Sequence, residues 1–369
     1  MVKPPLKICC IVGDLGGLNT LRPIIKLLKK NGHGVSVMIN ETLATSRDQI
    51  GNLGFRYRIL NQKTYDQFFQ MSLEQLPDIL IITVSRSGNL EKKLIQRAKI
   101  HKIPTISPIE NWGPFAGRFS DSKNQKYKNF LAYLPDYVLV VDEIARENAI
   151  SEGIPESHIL ITGSTHLEDF LEYKCADVKQ LKIKTHESFG ISLEQKLVVF
   201  ASQALKNEMG KKSPEYPGYN ETEVLSDVCC SLAKTWPDCF LVIKLHPFEL
   251  EKNFIHPAAL KVVNYTIDKN NSAVELMLAG DLIIGMFSNF LIEAAIQNKP
   301  VISYQKGIRN PSSFIGTKLE FVHFCHNITS LRKLLYTNPA PIDKASDYSD
   351  KIARGATKRI INIIESINT

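Results

Sequence analysis

Four short segments carry side chains at spacings suited to chemistry. The first is Gly13-Asp-Leu-Gly-Gly17, lying between an apolar run and a helical pattern. Glycines at such a place let backbone approach a ligand, and the helix start favours an anion. Asp14 stands where a carboxylate serves either as a general base or as a helix cap. The second segment is Ile109-Glu-Asn-Trp-Gly-Pro-Phe115. Glu110, Asn111 and Trp112 together suit a polar, hydroxyl-rich ligand, or else a packed aromatic loop. The third is Lys244-Leu-His246-Pro247, in which proline ends a strand and leaves His246 at the top of a sheet, able to bond a phosphate oxygen. The fourth runs from Gly285 to Ser303. Ser288 and Asn289 open a helix there as caps whose hydroxyl, amide and backbone N–H groups suit a phosphate, and Glu293 is placed to reach a ribose.

Strands and helices must hold these segments. Lys7–Val12, Val35–Ile39, Asp78–Val84, Pro104–Pro108, Asp136–Val141 and His158–Thr162 read as strands. Helices are expected at Leu18–Lys30, closed by Asn31-Gly32, and at about 90–101. Such apolar runs alternating with helices indicate a parallel sheet covered on both faces. A more polar stretch at 167–195 reads as a connection plus one helix. The pattern then restarts with strands at Lys196–Ala201, Phe240–Leu245, Asp281–Ile284 and Pro300–Ser303. Helices are expected at Glu221–Lys234, Ser288–Gln297 and 350–367. The expected class is α/β, with two tandem Rossmann-like, doubly wound parallel-sheet domains and a cleft between them. The first spans 1–170 and the second 171–350, while 351–369 forms a helix that packs back on the first.

Composition narrows the function classes. The 369 residues are 44% hydrophobic and 22% charged, which permits a full core and excludes global disorder. No apolar run approaches the roughly 20 residues of a membrane helix, and a cytoplasmic location is expected. The seven cysteines include two adjacent pairs and no CxxC, so free thiols are expected and no metal site. Residues 1–125 hold 18 Lys/Arg against 9 Asp/Glu, a basic half that suits an anionic partner such as a membrane surface. No nucleic-acid motif is present, and none is expected as a partner.

Taken together, the paired Rossmann-like halves, the His-Pro element and the Ser-capped Glu-Ala helix before Lys-Pro-Val-Ile resemble the GT-B glycosyltransferase superfamily. Ile161-Thr-Gly-Ser-Thr165 resembles the Thr-Gly-Asn element of UDP-GlcNAc 2-epimerases and related transferases. The KLHP and FSN elements resemble capsule, sialic-acid and teichoic-acid-type transferases. Three features depart from related patterns. Leu18 and Asn19 stand where muramyl transferases have His, Ala201–Lys206 replaces the His-Arg-Arg-Glu-Asn run of the epimerases, and Met286–Asn289 replaces their Asp-Ser-Gly-Gly element. These departures disfavour epimerisation, and the absence of DxD disfavours a metal-dependent transferase.

The resemblance implies a metal-independent, inverting glycosyltransferase that needs no cofactor beyond a CMP-, CDP- or UDP-linked sugar. The acceptor would be a surface glycan or lipid-linked sugar, with peripheral attachment to the inner membrane face. Donor contacts are expected from His246, Ser288, Asn289, Glu293, Lys206, Ser202 and Gln203. Acceptor contacts are expected from Gly16, Gly17, Arg86, Asn111, Trp112 and Arg118. Glu110 or Asp14 is the expected base, with His33 and Asp142 next in line. The alternatives are an epimerase or hydrolase of the same fold, or a non-catalytic sugar-nucleotide-binding subunit.

Overall fold

In a computed structural model, the described residues are 4–45, 53–68, 70, 76–85, 89–120, 133–172, 178–208, 216–246, 249, 251, 254, 256–268, 271–308 and 314–367. The chain divides into two compact units, Met1–Tyr173 with Asp350–Thr369, and Lys174–Ser349. Each is a parallel α/β sheet domain, as the alternating pattern requires.

The first unit contains β1 (Lys7–Val12), β2 (Gly34–Asn40), β3 (Arg58–Leu60), β4 (Ile79–Ile82), β5 (Thr105–Ile109), β6 (Tyr137–Val140) and β7 (Ile159–Ile161). Their order in the sheet is β3-β2-β1-β4-β5-β6-β7, all parallel. The winding direction reverses between β1 and β4, so the loops that follow these strands open a crevice at the carboxyl edge. The covering helices named below are α1 (Leu15–Lys30), α2 (Asn89–Ile100), α3 (Glu143–Ser151) and α4 (Thr165–Glu172). Leu18, Leu21, Ile24, Ile25 and Leu28 recur at helical spacing along α1 and are fully buried. They share a core with Ile8, Cys10 and Val12 of β1.

The second unit repeats the plan with β8 (Leu197–Ala201), β9 (Phe240–Lys244), β10 (Asn264–Asp268), β11 (Leu282–Gly285), β12 (Val301–Tyr304) and β13 (His323–Cys325). The order is β10-β9-β8-β11-β12-β13, and its reversal lies between β8 and β11. Its helices include α5 (Val178–Phe189), α6 (Glu221–Thr235) and α7 (Asn289–Ile296), and α8 (Lys344–Ala353) and α9 (Ala356–Ile367) follow.

Several sequence expectations change in detail. Helix α1 begins at Leu15 rather than Leu18, because Asp14 caps it. Among the described residues the 167–195 stretch holds the end of α4 and the whole of α5 rather than one helix. The last helix is split: Gly355 takes φ 74, a left-handed turn that ends α8, and α9 starts afresh.

In the first unit, Ile360, Ile361 and Ile364 of α9 enter the core beside α1. Polar bonds secure the same helix. The Glu168 carboxylate accepts from the Gly355 N–H at 2.5 Å and the Thr357 N–H at 2.7 Å, and Arg359 Nε donates to the Thr162 carbonyl at 2.7 Å. His33 accepts from the Leu6 N–H through Nδ1 at 3.1 Å and meets Glu365 through Nε2 at 3.2 Å.

Candidate functional site

At the first unit's reversal point, β1 runs into the Gly13 turn and α1. The Gly17 N–H donates to Asp14 Oδ1 at 2.7 Å, so Asp14 is the helix cap. A Cβ on Gly13 would lie 2.6 Å from the Thr83 carbonyl oxygen and 2.8 Å from the Ser85 nitrogen. On Gly17 it would fall into the Thr83 hydroxyl and within 2.6 Å of Thr83 Cβ. These two glycines are therefore explained by close packing of the β1–α1 turn on the end of β4. A Cβ on Gly16 would meet Asp14 Oδ1 at 3.5 Å, an ordinary contact. Arg86 lies outside the described residues.

Glu110 follows β5. Its Oε1 accepts from the Thr165 N–H at 2.9 Å and the Thr165 hydroxyl at 2.8 Å, at the start of α4. Its Oε2 is buried and has no partner among the described residues, and neither has Asn111 Oδ1. Trp112 is buried, and its indole N–H donates to Asp142 Oδ2 at 2.7 Å. The Trp112 carbonyl accepts from Asn148 Nδ2 at 2.8 Å, which ties the loop to α3. Trp112 is thus an anchor of a packed loop. Arg118 donates from Nη1 to the Val84 carbonyl at 2.9 Å and bridges this loop to the end of β4. The two reserve bases also have structural partners. Asp142 caps α3, accepting from the Ala145 N–H at 2.7 Å besides the tryptophan bond, and His33 holds the Leu6 backbone.

The second unit gathers its predicted residues at the carboxyl edge of β8, β9 and β11. The Ser202 hydroxyl donates to Glu249 Oε1 at 2.9 Å, and the His246 N–H donates to Glu249 Oε2 at 2.7 Å. One carboxylate thereby joins the loops after β8 and β9. Burial pushes the His246 imidazole below its usual range, which favours the neutral ring. Gln203 Oε1 accepts from the Phe287 N–H at 2.8 Å and links the loops after β8 and β11 across the reversal point. Ser288 is the cap residue of α7, yet its hydroxyl makes no cap bond. Its oxygen is buried without a partner among the described residues, which corrects the expectation that it caps through its side chain. Asn289 is exposed and Glu293 half-buried on α7. Lys206 is exposed, and its backbone N–H donates to Glu221 Oε2 at 3.1 Å.

Sequence reasoning missed Glu249 and Glu91. Glu249 stands three residues beyond the histidine. Glu91 shares the buried face of α2 with Leu94, Ile95 and Ala98, and a carboxylate at that helical spacing was the available signal. Among the described residues no group of three His, Cys, Asp or Glu side chains is placed to hold a metal ion. No helix there is long and apolar enough to cross a membrane.

No protein-family model matches the chain, and no curated protein matches it by sequence. Solved structures match it by fold. UDP-GlcNAc 2-epimerase from Neisseria meningitidis, bound to UDP-GlcNAc, is 17% identical with a TM-score of 0.66, over 97% of this chain and 99% of that one. The Methanocaldococcus jannaschii UDP-GlcNAc 2-epimerase is 15% identical with a TM-score of 0.62, over 97% and 99%. An Anabaena protein in complex with UDP and glucose is 13% identical with a TM-score of 0.63, over 98% and 99%. The chain thus shares the GT-B-like two-domain fold of these proteins. The expected glycosyltransferase assignment is corrected here: the whole-chain matches include a series of UDP-GlcNAc 2-epimerases, the activity that the motif departures had argued against.

Proposed function

We propose that this chain is a nucleotide-sugar epimerase acting on a UDP-linked amino sugar. The observation that carries the reading is the set of loops at the second unit's reversal point. Ser202, His246 and Glu249 form one bonded cluster there, and α7 begins with a Ser288 hydroxyl that has no protein partner among the described residues. A helix start whose hydroxyl has no partner among the described residues suits a phosphate. Fold neighbours that hold UDP or UDP-GlcNAc support the choice of nucleotide.

Within this reading, Ser288 and Asn289 bind the nucleotide phosphates and a neutral His246 offers a ring hydrogen bond. Glu293 and Lys206 complete the nucleotide contacts. Inverting a carbon that bears hydrogen requires that a proton leave and return. Glu110 is the first candidate for that transfer, because its Oε2 has no protein partner among the described residues. A second reading, a sugar-nucleotide-binding subunit without catalysis, is favoured by one observation. Asp14 and Glu110 Oε1 both serve helix starts.

The test is incubation with UDP-GlcNAc alone, followed by proton NMR. Appearance of the 2-epimer without any acceptor supports the proposal. Binding without product supports the second reading, and absence of both overturns the two together. His246→Ala and Ser288→Ala should each weaken UDP binding by about 1–3 kcal/mol in titration calorimetry.

A further inference from the structure

Helix α2 buries Leu94, Ile95 and Ala98 against the first sheet, and one turn earlier the same face carries Glu91. The Glu91 side chain is fully enclosed, at 0% exposure. Asn40 Nδ2, at the end of β2, donates to Oε1 at 2.8 Å. Oε2 has no partner among the described residues. The neighbouring Lys92 sends its ammonium to the Ser120 carbonyl at 2.8 Å. A Cβ on Gly13 would come within 3.2 Å of Glu91 Oε1, so the carboxyl packs on the β1–α1 turn. The charged groups acting on it are Asp14 from that turn, with like charge, and Lys92 on its own helix.

An ionised Glu91 would leave one charged oxygen out of water and without a donor among the described residues, with Asp14 nearby. A buried carboxyl in such a place releases its charge by keeping its proton. In the neutral form Oε1 is the carbonyl that accepts from Asn40, and Oε2 carries the hydrogen. Burial first, and the Asp14 charge after it, push this group above the usual glutamate range.

We propose that Glu91 is a proton-bearing carboxyl and a positioning residue of the first unit's crevice, and that its ionisation sets the alkaline limit of activity there. The activity part rests on the epimerase reading. Glu91 acts through Asn40 and Asp14. Loss of the Oε2 proton to water places a second negative charge beside Asp14. It also alters the bond to Asn40, whose own Oδ1 accepts from the Thr42 N–H at 2.9 Å.

The experiment is an isotope-edited infrared difference spectrum of the full chain against Glu91→Gln at neutral pH. A protonated-carboxyl C=O band is expected in the natural chain, absent from the variant and fading as pH rises. Asn40→Ala keeps the carboxyl and should shift that band, which serves if Glu91→Gln does not fold. No protonated band at neutral pH overturns the assignment. Urea denaturation gives a second readout. The unfolded chain releases this proton first, so stability falls as pH rises from the usual glutamate range to the elevated one, and Glu91→Gln removes the fall. With UDP-GlcNAc as probe, the alkaline limb of the kcat/KM profile should disappear in Glu91→Gln, and a limb that persists overturns the positioning role. A protonated band without turnover of UDP-GlcNAc would instead overturn the epimerase reading and leave the proton assignment standing.

Discussion

Gly16 and Gly17 are neighbours in the first turn of α1, yet alanine at each should move stability in opposite directions. At Gly16 an added Cβ meets, among the described residues beyond its own helix backbone, only Asp14 Oδ1, at 3.5 Å, which is ordinary contact. The substitution then acts through the unfolded chain and stabilises by roughly 0.4–1 kcal/mol. At Gly17 the same atom lands 2.6 Å from Thr83 Cβ and closer still to its hydroxyl. Thr83 cannot yield easily, because its hydroxyl accepts from the Gly13 N–H at 3.1 Å and its backbone N–H donates to the Ile11 carbonyl at 2.9 Å. Overpacking of this kind costs about 1–3 kcal/mol, more than the entropic gain. Urea denaturation followed by Trp112 fluorescence reads the first unit. The chain has two tryptophans, and the other, Trp236, is replaced by Phe in the background. Thr83→Gly should partly rescue Gly17→Ala, with a coupling of about 0.5–3 kcal/mol in the double-mutant cycle. Equal effects at the two glycines, or strict additivity with Thr83→Gly, would refute the packing argument.

Other expectations follow from single contacts. Tyr219 is buried with its hydroxyl unpartnered among the described residues, so Tyr219→Phe should raise the unfolding free energy in urea by up to about 1–3 kcal/mol; a lowered value would mean that the hydroxyl is satisfied. Glu168→Gln turns one of two acceptors at the start of α9 into a donor facing an N–H, and should cost about 1.5–3 kcal/mol. Hydrogen exchange over 355–367 should accelerate selectively, and unchanged protection there would sink the cap argument. Burial lowers the His246 imidazole in the fold, so the unfolded chain takes up the proton first as pH falls. Stability should therefore be level above the usual histidine range and decline below it until the lowered value is passed, and His246→Gln should flatten that decline in pH-dependent melts.

The central strands were legible because they are buried on both faces and read as apolar runs. Ile79–Ile82 and Leu197–Ala201 are buried at every position. The strands β3, β10 and β13 were not found, and all three are sheet edges. Arg58, Ile59, Asn264 and Tyr265 are exposed there, so no apolar run marks them. At the site, residue type located the loops at the strand ends but not the bonds made within them. Asp14 and Glu110 sit at strand ends as expected, yet whether such a carboxylate caps a helix depends on N–H groups brought in by distant chain. For Glu110 these come from Thr165, 55 residues onward. The reverse holds at Ser288. Its position announces a cap and its backbone is extended as a cap residue's is, but its hydroxyl makes no cap bond, a detail with no counterpart in the sequence.

The route of the chain through the first unit bears on how the protein emerges from the ribosome. Residues 174–349 are contiguous, and their sheet needs no segment from outside that range. The other unit is interrupted by them: His33 waits for Glu365, 332 positions later, and the α1 core waits for Ile360, Ile361 and Ile364. Contacts of such sequence separation are slow to close, and domains generally form as whole units during synthesis. The inserted unit is therefore positioned to finish first, while the N-terminal strands stay partly uncovered until α9 is delivered. A truncation that removes α9 should leave the inserted unit folded and expose apolar surface on α1, making it a client for chaperones throughout translation.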